Sequence, residues 1–485
     1  MQTRLSGRNL GFIGTMLFGL FFGAGNLIFP IYLGQQAGHH VGSAIIGLLI
    51  TGIGLPLLGV IGMGLTRSSG VFDLAAKVNR PYAYGFTVLL YFTLGPLFAM
   101  PRLATTAFQI GLVPFVAPGH QAGVLLGFSG LFFLVTWLLA LNPGRIMTYV
   151  GKWLTPLFLI LLGALMLVAL IKPLGNFDVA ARGAYAAQPL LTGFTEGYNT
   201  MDALASLAFG IVVIDAIRDL GVTDPGQIAT DTIKAGIISM TLMGVIYALL
   251  AIIGTMSLGQ FAPAANGGVT LAQIAAHYFG PLGNGLLALI VIIACLKTAI
   301  GLTSAFGDTL HGMFPKLSYR WLITLACVLP AILANVGLTQ LIKYSTPLLM
   351  FLYPLAIVLI LLAVASPWLG TSRWLFGMTT AWTLIPAVLA GVNALPANLT
   401  AHGWLHLLLR LNNWLPLASL GLGWVVPALL GLIIGLIGSR HQRTNWYHTC
   451  TLKSHSKVLW LKLWNGFLDH RKNVVFRCGH GETLR

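Results

Sequence analysis

The sequence predicts an all-α polytopic membrane protein with about 12 transmembrane helices. Two observations on composition support this fold class: 57% of the 485 residues are hydrophobic, and only 8% are charged. In soluble domains about 25% of residues are charged, so this chain has too few polar side chains to cover a water-exposed surface. A water-soluble enzyme, a disordered regulator and a secreted disulfide scaffold are therefore excluded.

The charge balance and the cysteines exclude further classes. The net charge of +16 comes from 27 Lys and Arg residues against only 11 Asp and Glu residues. Because this excess reflects scarce acids, we interpret it as a signal of membrane orientation and predict no binding to nucleic acid. The four cysteines show no CxxC spacing, and they predict neither a disulfide nor a metal site.

A transmembrane helix needs about 20 predominantly apolar residues, and the chain contains such runs separated by short polar or Gly/Pro-rich connections. The predicted spans are 9–33, 43–66, 82–112, 121–141, 153–172, 195–217, 233–258, 283–310, 319–336, 338–364, 374–394 and 417–438. Residues 1–438 form the predicted transmembrane domain. Residues 439–485 form a basic cytoplasmic tail, which either lies on anionic lipid of the bilayer or has no role in the chemistry.

Lysine and arginine are distributed unequally between the alternate connections. One side carries Arg4, Arg8, Arg67, Lys77, Arg80, Arg145, Lys152, Arg218, Lys234, Lys316, Arg320 and Arg373, and the other side carries Lys172, Arg182 and Arg410. Cytoplasmic loops are the ones enriched in Lys and Arg. The sequence therefore predicts that both termini are cytoplasmic.

Span 1 contains a run that disfavours a continuous helix. The sequence FGAGN (22–26) places two glycines and an asparagine within five residues. Irregular backbone at membrane depth is tolerated only where it is buried or lines a cavity. The amides of Ala24 and Gly25, at the start of a new half-helix, form a positive end that suits a carboxylate. A kink without any ligand is the alternative interpretation.

A second interruption follows in span 6, where the sequence YNTMDA (198–203) places polar residues at mid-membrane. Breaks in spans 1 and 6 are typical of a 5+5 inverted repeat, in which the binding site lies where the two broken helices meet. Repeat one covers about 9–172, repeat two about 195–364, and helices 11 and 12 lie at about 374–438. In span 8, the adjacent hydroxyls of Thr303 and Ser304 either supply oxygen to a small cation or bond back to their own helix.

Four motifs show a resemblance to a known family. They are LFGLFFGAGNLIFP (17–30), GPLFAMPRLA (95–104), TMDALASLAFG (200–210) and TAIGLTSAF (298–306). These motifs resemble the bacterial branched-chain amino acid:cation symporters, the LIVCS family, and the resemblance covers residues 1 to about 438. It implies the leucine-transporter fold, a multi-pass protein of the bacterial inner membrane, and leucine, isoleucine and valine as substrates. It also implies sodium as the coupling ion and no other cofactor.

The resemblance carries over to particular positions at the two breaks and in span 8. The implied substrate-binding residues are Gly23, Ala24, Gly25, Asn26, Thr200, Met201, Asp202, Ala203 and Ser206. The implied sodium ligands are the carbonyls of Gly19, Phe22 and Ile300, the hydroxyls of Thr303 and Ser304, and Asn26 near a first cation position. Apolar side chains available for a dry pocket are Phe18, Phe21, Phe22, Phe98, Met201, Leu204 and Phe209.

Charged residues inside the spans are functional candidates because an unpaired charge in the membrane is costly. Arg102 in span 3 has Asp202 or Glu196 as a candidate partner, and Asp202 has the substrate ammonium as a second candidate. Lys297 in span 8 departs from the sodium interpretation. Its ammonium either replaces a cation, pairs with an acid, or reaches toward the membrane surface.

The predicted function is sodium-coupled uptake of leucine, isoleucine and valine by alternating access. A charge that crosses ~100 mV contributes about 2.3 kcal/mol, and a tenfold sodium gradient adds about 1.4 kcal/mol, so no ATP site is needed and the sequence contains no P-loop. A transporter coupled to protons, or to no ion, is the alternative within the class. A membrane enzyme or sensor is the alternative from another class, and we predict no enzymatic activity.

The predicted topology can be tested by cysteine labelling. Single cysteines placed in the connections 173–194 and 395–416 should react with a membrane-impermeant maleimide added to intact cells, because both connections carry few bases and are predicted to lie outside. The native Cys450 should react only after the cells are opened. Labelling of Cys450 from outside would reverse the predicted orientation.

Overall fold

The computed structural model describes residues 5–145, 147–395, 411, 414–418 and 421–439. The described residues form helices and turns, with no strand among them, so the predicted all-α fold class is confirmed. The basic tail from residue 440 onward and most of the predicted outside connection 395–416 lie beyond the described residues.

The first half of the chain consists of helices that follow the predicted spans 1 to 5 and one short helix between spans 2 and 3. These are α1 (Gly7–Phe21), α2 (Ala24–Ala37), α3 (Val41–Leu49), α4 (Leu55–Leu65), α5 (Val71–Ala75), α6 (Arg80–Phe92), α7 (Ala99–Gly111), α8 (Gln121–Ala140) and α9 (Thr155–Ile171). The π-helical turn Ile50–Gly54 joins α3 to α4.

The second half contains the remaining spans and two additional short helices. These are α10 (Ala184–Ala187), α11 (Pro189–Glu196), α12 (Asp202–Asp219), α13 (Pro225–Ser257), α14 (Gly267–Phe279), α15 (Pro281–Met313), α16 (Tyr319–Leu333), α17 (Leu338–Leu369), α18 (Arg373–Asn393) and α19 (Val425–Ser439). Spans 1 and 6 are each divided into two helices, as predicted.

Among the described residues, 10 helical stretches are long and apolar enough to cross a membrane. One of them, Ala24–Leu65, joins the second half of span 1 to span 2. The helix α1 has 15 residues and is too short to count alone, and Val425–Ser439 belongs to the shorter apolar helices. The chain is thus a multi-pass membrane protein, whereas the inverted relation between the two halves stays a prediction.

Two local differences from the predicted spans have clear causes. Helix α13 begins at Pro225, earlier than the predicted residue 233, because the Asp224 carboxylate accepts a hydrogen bond from the Gln227 amide at 2.7 Å and starts the helix among polar residues. Helix α14 was not predicted. Its N-terminus is capped by Asn266, whose Oδ1 accepts from the amides of Gly268 and Val269 at 3.0 and 3.1 Å.

The span that carries Arg102 is kinked ahead of that residue. Helix α6 ends at Phe92, the turn Thr93–Leu97 follows, and Gly95 has a non-helical ψ of -119°. Pro96 has no amide hydrogen to donate, so the helical ladder cannot continue through this position. The kink gives α7 its own direction toward the centre of the protein, where it packs against α15.

The centre of the fold is made by α1 and α12, which pack against each other and against α13 and α15. Beside them, α2 and α13 approach each other closely through glycines. A Cβ atom on Gly34 would overlap the Ala251 carbonyl, and one on Gly254 would overlap the Ile31 carbonyl. Glycine is therefore required at both positions for this backbone contact.

A buried glutamine ties α14 to the same pair of helices. Gln35 on α2 donates from Nε2 to the Ser257 hydroxyl at 3.0 Å. Its Oε1 accepts from the Thr270 hydroxyl on α14 at 2.8 Å and from the Ala264 amide at 3.2 Å. Gln35 is fully buried, so these hydrogen bonds satisfy an amide that would otherwise be costly to bury.

Candidate functional site

The first break lies at Phe22 and Gly23, between α1 and α2. Gly23 is extended, with φ -101° and ψ -164°, and it is the N-cap residue of α2. The Gly23 amide donates to Oδ1 of Asn26 at 3.1 Å. The same amide also donates to the Phe21 carbonyl at 2.9 Å, so the backbone donor at the break is shared between a turn and the Asn26 side chain. Asn26 therefore stabilises the break that the FGAGN run predicted.

The second break lies at residues 197–201, between α11 and α12. It consists of the short 3-10 turn Gly197–Thr200 and of Met201, which has a left-handed φ of 63°. A non-glycine residue in this region costs about 1 to 2 kcal/mol, so the surroundings must hold it. The Thr200 hydroxyl donates to the Gly197 carbonyl at 2.8 Å. Tyr353 on α17 donates to the Tyr198 carbonyl at 2.6 Å.

Asp202, the first residue of α12, connects the two breaks. Its carboxylate accepts from Nδ2 of Asn26 at 2.9 and 3.1 Å and from the Tyr247 hydroxyl on α13 at 2.7 Å. The Asn26 amide also contacts the Tyr247 hydroxyl. Asp202 is 1% exposed. Three helices, α2, α12 and α13, thus converge on one buried carboxylate.

The hydrogen-bond donors around Asp202 are neutral. In the described part of the chain, the ion pair that the structure forms is Arg218 with Asp215, at 3.3 Å on the surface. Asp202 therefore has no cationic side chain in contact with it. A buried carboxylate without a counter-ion favours the arrival of a cation.

Arg102 does not form the ion pair that the sequence suggested. Its Nη2 donates to the Asn199 carbonyl at 2.9 Å, and its guanidinium lies over the Phe29 ring at 5.0 Å. The second candidate partner, Glu196, forms no ion pair with Arg102 in the part of the chain that the structure describes. The pairing of Arg102 with Asp202 or Glu196 is corrected: a freed carbonyl at the second break holds the guanidinium instead.

Arg102 also lies close to the N-terminus of α2. A Cβ atom added to Gly25 would lie 2.7 Å from Nη2 of Arg102, so only glycine permits this approach. The Ala24 amide contacts the Cys295 sulfur on α15. The helix N-terminus and the guanidinium make this side of the site positive. The Asp202 carboxylate makes the other side negative, and such a pair of poles suits a zwitterion.

The surroundings of the first break are apolar. Of the predicted pocket residues, Phe18, Phe21, Phe22, Met201, Leu204 and Phe209 are buried and Phe98 is half-buried. The rings of Phe21 and Phe209 meet edge to face, with centroids 5.4 Å apart. A Cβ atom on Gly23 would lie 3.1 Å from the Leu103 side chain and 3.2 Å from the Thr298 hydroxyl.

Two of the predicted substrate-binding residues lie differently from the rest. The Ser206 hydroxyl donates to the Ala203 carbonyl at 2.7 Å within its own helix. A Cβ atom on Gly59 of α4 would overlap this hydroxyl. Ser206 therefore faces α4, and Ala203 uses its carbonyl within the helix, because both follow the regular turn of α12 rather than the break.

The two hydroxyls of the predicted sodium set lie on α15 and are fully buried. The Thr303 hydroxyl lies 3.8 Å from the Met100 sulfur on α7 and 3.9 Å from the Cys327 sulfur on α16. The Ser304 hydroxyl has no hydrogen-bond partner among the described residues. Residues two apart on a helix do not share a face, and Gly301 is the residue that packs against Leu20 of α1.

The carbonyl donors expected from α1 and α15 are those of Gly19, Phe22 and Ile300. Gly19 faces α9, because a Cβ atom there would overlap the Thr155 hydroxyl. Ile300 is fully buried within the continuous helix α15, whose carbonyls are used by the helix itself. Phe22 lies at the break, where its ring packs 5.2 Å from that of Phe158. The predicted sodium set stays a prediction.

Lys297 lies two helical turns before Ser304 on α15 and shares a face with that hydroxyl, whereas Thr303 is turned away from it. It is 0% exposed, and its Nζ has no hydrogen-bond partner among the described residues. The nitrogen lies 3.8 Å from the centre of the Phe158 ring and 5.4 Å from that of Phe18. The side chain neither pairs with an acid nor reaches the membrane surface.

Sequence reasoning missed Tyr247 and Thr298. Tyr247 lies in the apolar run GVIYALL (244–250), where a tyrosine is typical of helix packing and gives no sign of its contact with Asp202. Thr298 opens the TAIGLTSAF motif, and its position one helical turn before Gly301 could have indicated that it faces α1.

Comparison with known proteins adds family information. A family model described as branched-chain amino acid transport protein matches residues 6–442. The chain is 47% identical over 418 residues to the branched-chain amino acid permease BrnQ of Lactobacillus delbrueckii subsp. lactis, which covers 86% of this chain and 93% of that protein. It is 42% identical over 425 residues to the branched-chain amino acid permease BraB of Bacillus subtilis, which covers 88% and 94%.

Solved structures confirm the leucine-transporter fold. Mhp1, a nucleobase-cation-symport-1 family transporter, is similar with a TM-score of 0.55 at 13% identity, over 89% of this chain and 92% of that chain. MhsT, solved in complex with L-phenylalanine, is similar with a TM-score of 0.54 at 16% identity, over 89% and 100%. At these identities the likeness concerns the fold alone.

The role of Tyr247 in holding the two breaks together can be tested by thermal unfolding. Tyr247→Phe keeps the ring and removes the hydrogen bond to the Asp202 carboxylate, and such bonds to charged groups contribute about 1.5 to 3 kcal/mol. We expect a melting temperature several degrees lower for the purified protein. Tyr82→Phe is the matched control, because the Tyr82 hydroxyl has no partner among the described residues. Equal melting temperatures would contradict the assigned hydrogen bond.

Proposed function

Because the chain belongs to the branched-chain amino acid transport protein family, we propose that it takes up leucine, isoleucine and valine by alternating access. Uptake is driven by sodium across the bacterial cell membrane, and both termini lie in the cytoplasm. The observation that carries this proposal is the buried Asp202 carboxylate, which joins the two helix breaks and has only neutral donors around it.

The two poles of the site match the two charged groups of an amino acid. The substrate carboxylate binds at the N-terminus of α2, near Gly25 and the Arg102 guanidinium. The substrate ammonium binds on the side of Asp202. Because the surrounding side chains are apolar, the ligand side chain that fits between these poles is aliphatic, and a charged one would lack a partner.

Sodium is placed beside Asn26 and Asp202. The Asp202 carboxylate supplies oxygens of the kind that small hard cations favour, and Asn26, whose Nδ2 donates to this carboxylate, lies beside it at the junction of α2 and α12. The site predicted from Gly19, Phe22, Ile300, Thr303 and Ser304 supports the proposal less well, since the Thr303 hydroxyl lies beside the sulfurs of Met100 on α7 and Cys327 on α16.

An access route leads along α7. A cavity of about 700 Å³ is lined by Thr105 and Gln109 of this helix and by Asn266 and Gly268 at the start of α14. Residues three and seven positions after Arg102 share its helix face. We propose that amino acids enter through this cavity from the outside and reach the guanidinium first.

Uptake into proteoliposomes tests the substrate class. With an inward sodium gradient, the purified protein should accumulate radiolabelled leucine, and excess isoleucine or valine should compete strongly. Lysine and glutamate should compete weakly, because their charged side chains find no partner among the aromatic rings. Competition by lysine equal to that by valine would rule out the aliphatic site. Leucine binding without flux would favour a sensor, and chemical conversion of leucine would favour an enzyme.

The role of Asp202 in sodium binding has its own test. Asp202→Asn removes the negative charge with little change in shape, and loss of a charged partner corresponds to about 1.5 to 3 kcal/mol. We expect the sodium concentration for half-maximal uptake to rise roughly tenfold to a hundredfold. Asp178→Asn, at an exposed position, is the matched control. Unchanged sodium dependence in the Asp202 variant would place the ion elsewhere.

A further inference from the structure

Lys297 lies where three helices meet beside the first break. It is on α15, and its nitrogen faces Phe18 of α1 and Phe158 of α9. The next residue, Thr298, packs against Gly23 of the break. An amine is thus present at the junction of α1 and α15, which is the junction for which the sequence predicted a sodium ion.

Among the residues that the structure describes, no acid forms a hydrogen bond or an ion pair with this amine. The titratable group that acts on it is the Cys295 thiol of the same helix. The helix α9 has no ionisable residue, and α1 has only Arg8, at its opposite end. On the other helices packed against α15, the charged and sulfur groups have their own contacts: Arg102 with Asn199, Asp202 with Asn26 and Tyr247, and Cys327 with Thr303.

The surroundings of Lys297 stabilise neither the charged nor the neutral amine strongly. Burying an ammonium without a hydrogen-bond acceptor is unfavourable. The cation–π attraction of two aromatic rings offsets part of this penalty. A neutral amine is tolerated in an apolar junction. Because the rings belong to α1 and α9, any movement of α1 against α15 changes how well the charged form is stabilised. Proton binding and helix movement are therefore linked.

We propose that the amine of Lys297 is a proton-binding site that couples proton entry to transport. In each cycle the lone pair of the amine accepts a proton from hydronium that enters with the substrate, which forms an N–H bond and leaves water. The ammonium returns that proton to water when the site opens to the cytoplasm. The proton takes the place of the predicted second sodium and acts beside the sodium ion at Asp202. This inference rests on the proposed transport of amino acids.

The test uses proteoliposomes with the same sodium concentration on both sides and with the membrane potential clamped by potassium and valinomycin. A gradient of one pH unit, acidic outside, should drive about tenfold accumulation of leucine if one proton enters with each molecule. Addition of leucine should also acidify the vesicle interior, which an enclosed pH-sensitive dye reports. Wild-type protein that exchanges leucine but moves no proton would overturn the proposal, whatever the variants do.

Substitutions locate the effect. Lys297→Met, which is similar in length and carries no proton, should bind leucine and perform leucine counterflow but lose both accumulation driven by the pH gradient and leucine-induced acidification. Lys297→Gln gives a second variant in case the first one does not fold. Lys234→Met is the matched control, because Lys234 is an exposed lysine of a spanning helix, and it should retain both signals. Accumulation driven by the pH gradient in either folded Lys297 variant would overturn the assignment.

The same vesicles separate this inference from the proposed function. Leucine counterflow needs no ion gradient. If the wild type shows no counterflow, the proposed transport of amino acids itself is wrong. If it shows counterflow and accumulation driven by sodium but none driven by the pH gradient, only the role of Lys297 is wrong.

Discussion

The hydrocarbon core of a membrane offers no hydrogen bonds, and every backbone group that a broken helix frees must find a partner inside the protein. The structure meets this constraint with side chains from both halves of the chain. Asn26 accepts from the Gly23 amide, Arg102 donates to the Asn199 carbonyl, and Tyr353 donates to the Tyr198 carbonyl. The side chains that pair with the freed backbone groups are thereby held around one small volume. Arg102 can be buried in this volume because it has a hydrogen-bond partner there.

The distribution of charge in that volume follows from the same constraint. Arg102 is held by a carbonyl and Asp202 by neutral donors, so neither charge cancels the other through a direct ion pair. A site built from a closed Arg–Asp pair would have little attraction left for a ligand. Holding the two charges apart, Arg102 on a backbone carbonyl and Asp202 on neutral side chains, lowers the stability of the empty protein. Binding of a zwitterion together with a cation offsets this loss.

The breaks were predictable because glycine, asparagine and aspartate at mid-membrane conflict with a continuous helix, and this conflict is local in sequence. The orientation of α15 was not predictable. The side of α15 that faces α1 depends on how the side chains of the two helices interlock. In the structure Gly301 packs against Leu20 of α1, and Thr303 is turned toward the sulfurs of Met100 and Cys327. Likewise nothing near Tyr247 in the sequence reveals a carboxylate on another helix.

The buried Gln35 has a mechanical consequence. Its amide is bonded at once to α13 through Ser257 and to α14 through Thr270, while its backbone belongs to α2. If α14 moved without α2, the buried side-chain amide of Gln35 would lose its hydrogen bond from Thr270, which is unfavourable. The half-helix after the first break and the short helix α14 therefore move together. A displacement of α14 is transmitted through Gln35 along α2 to Asn26, beside the first break.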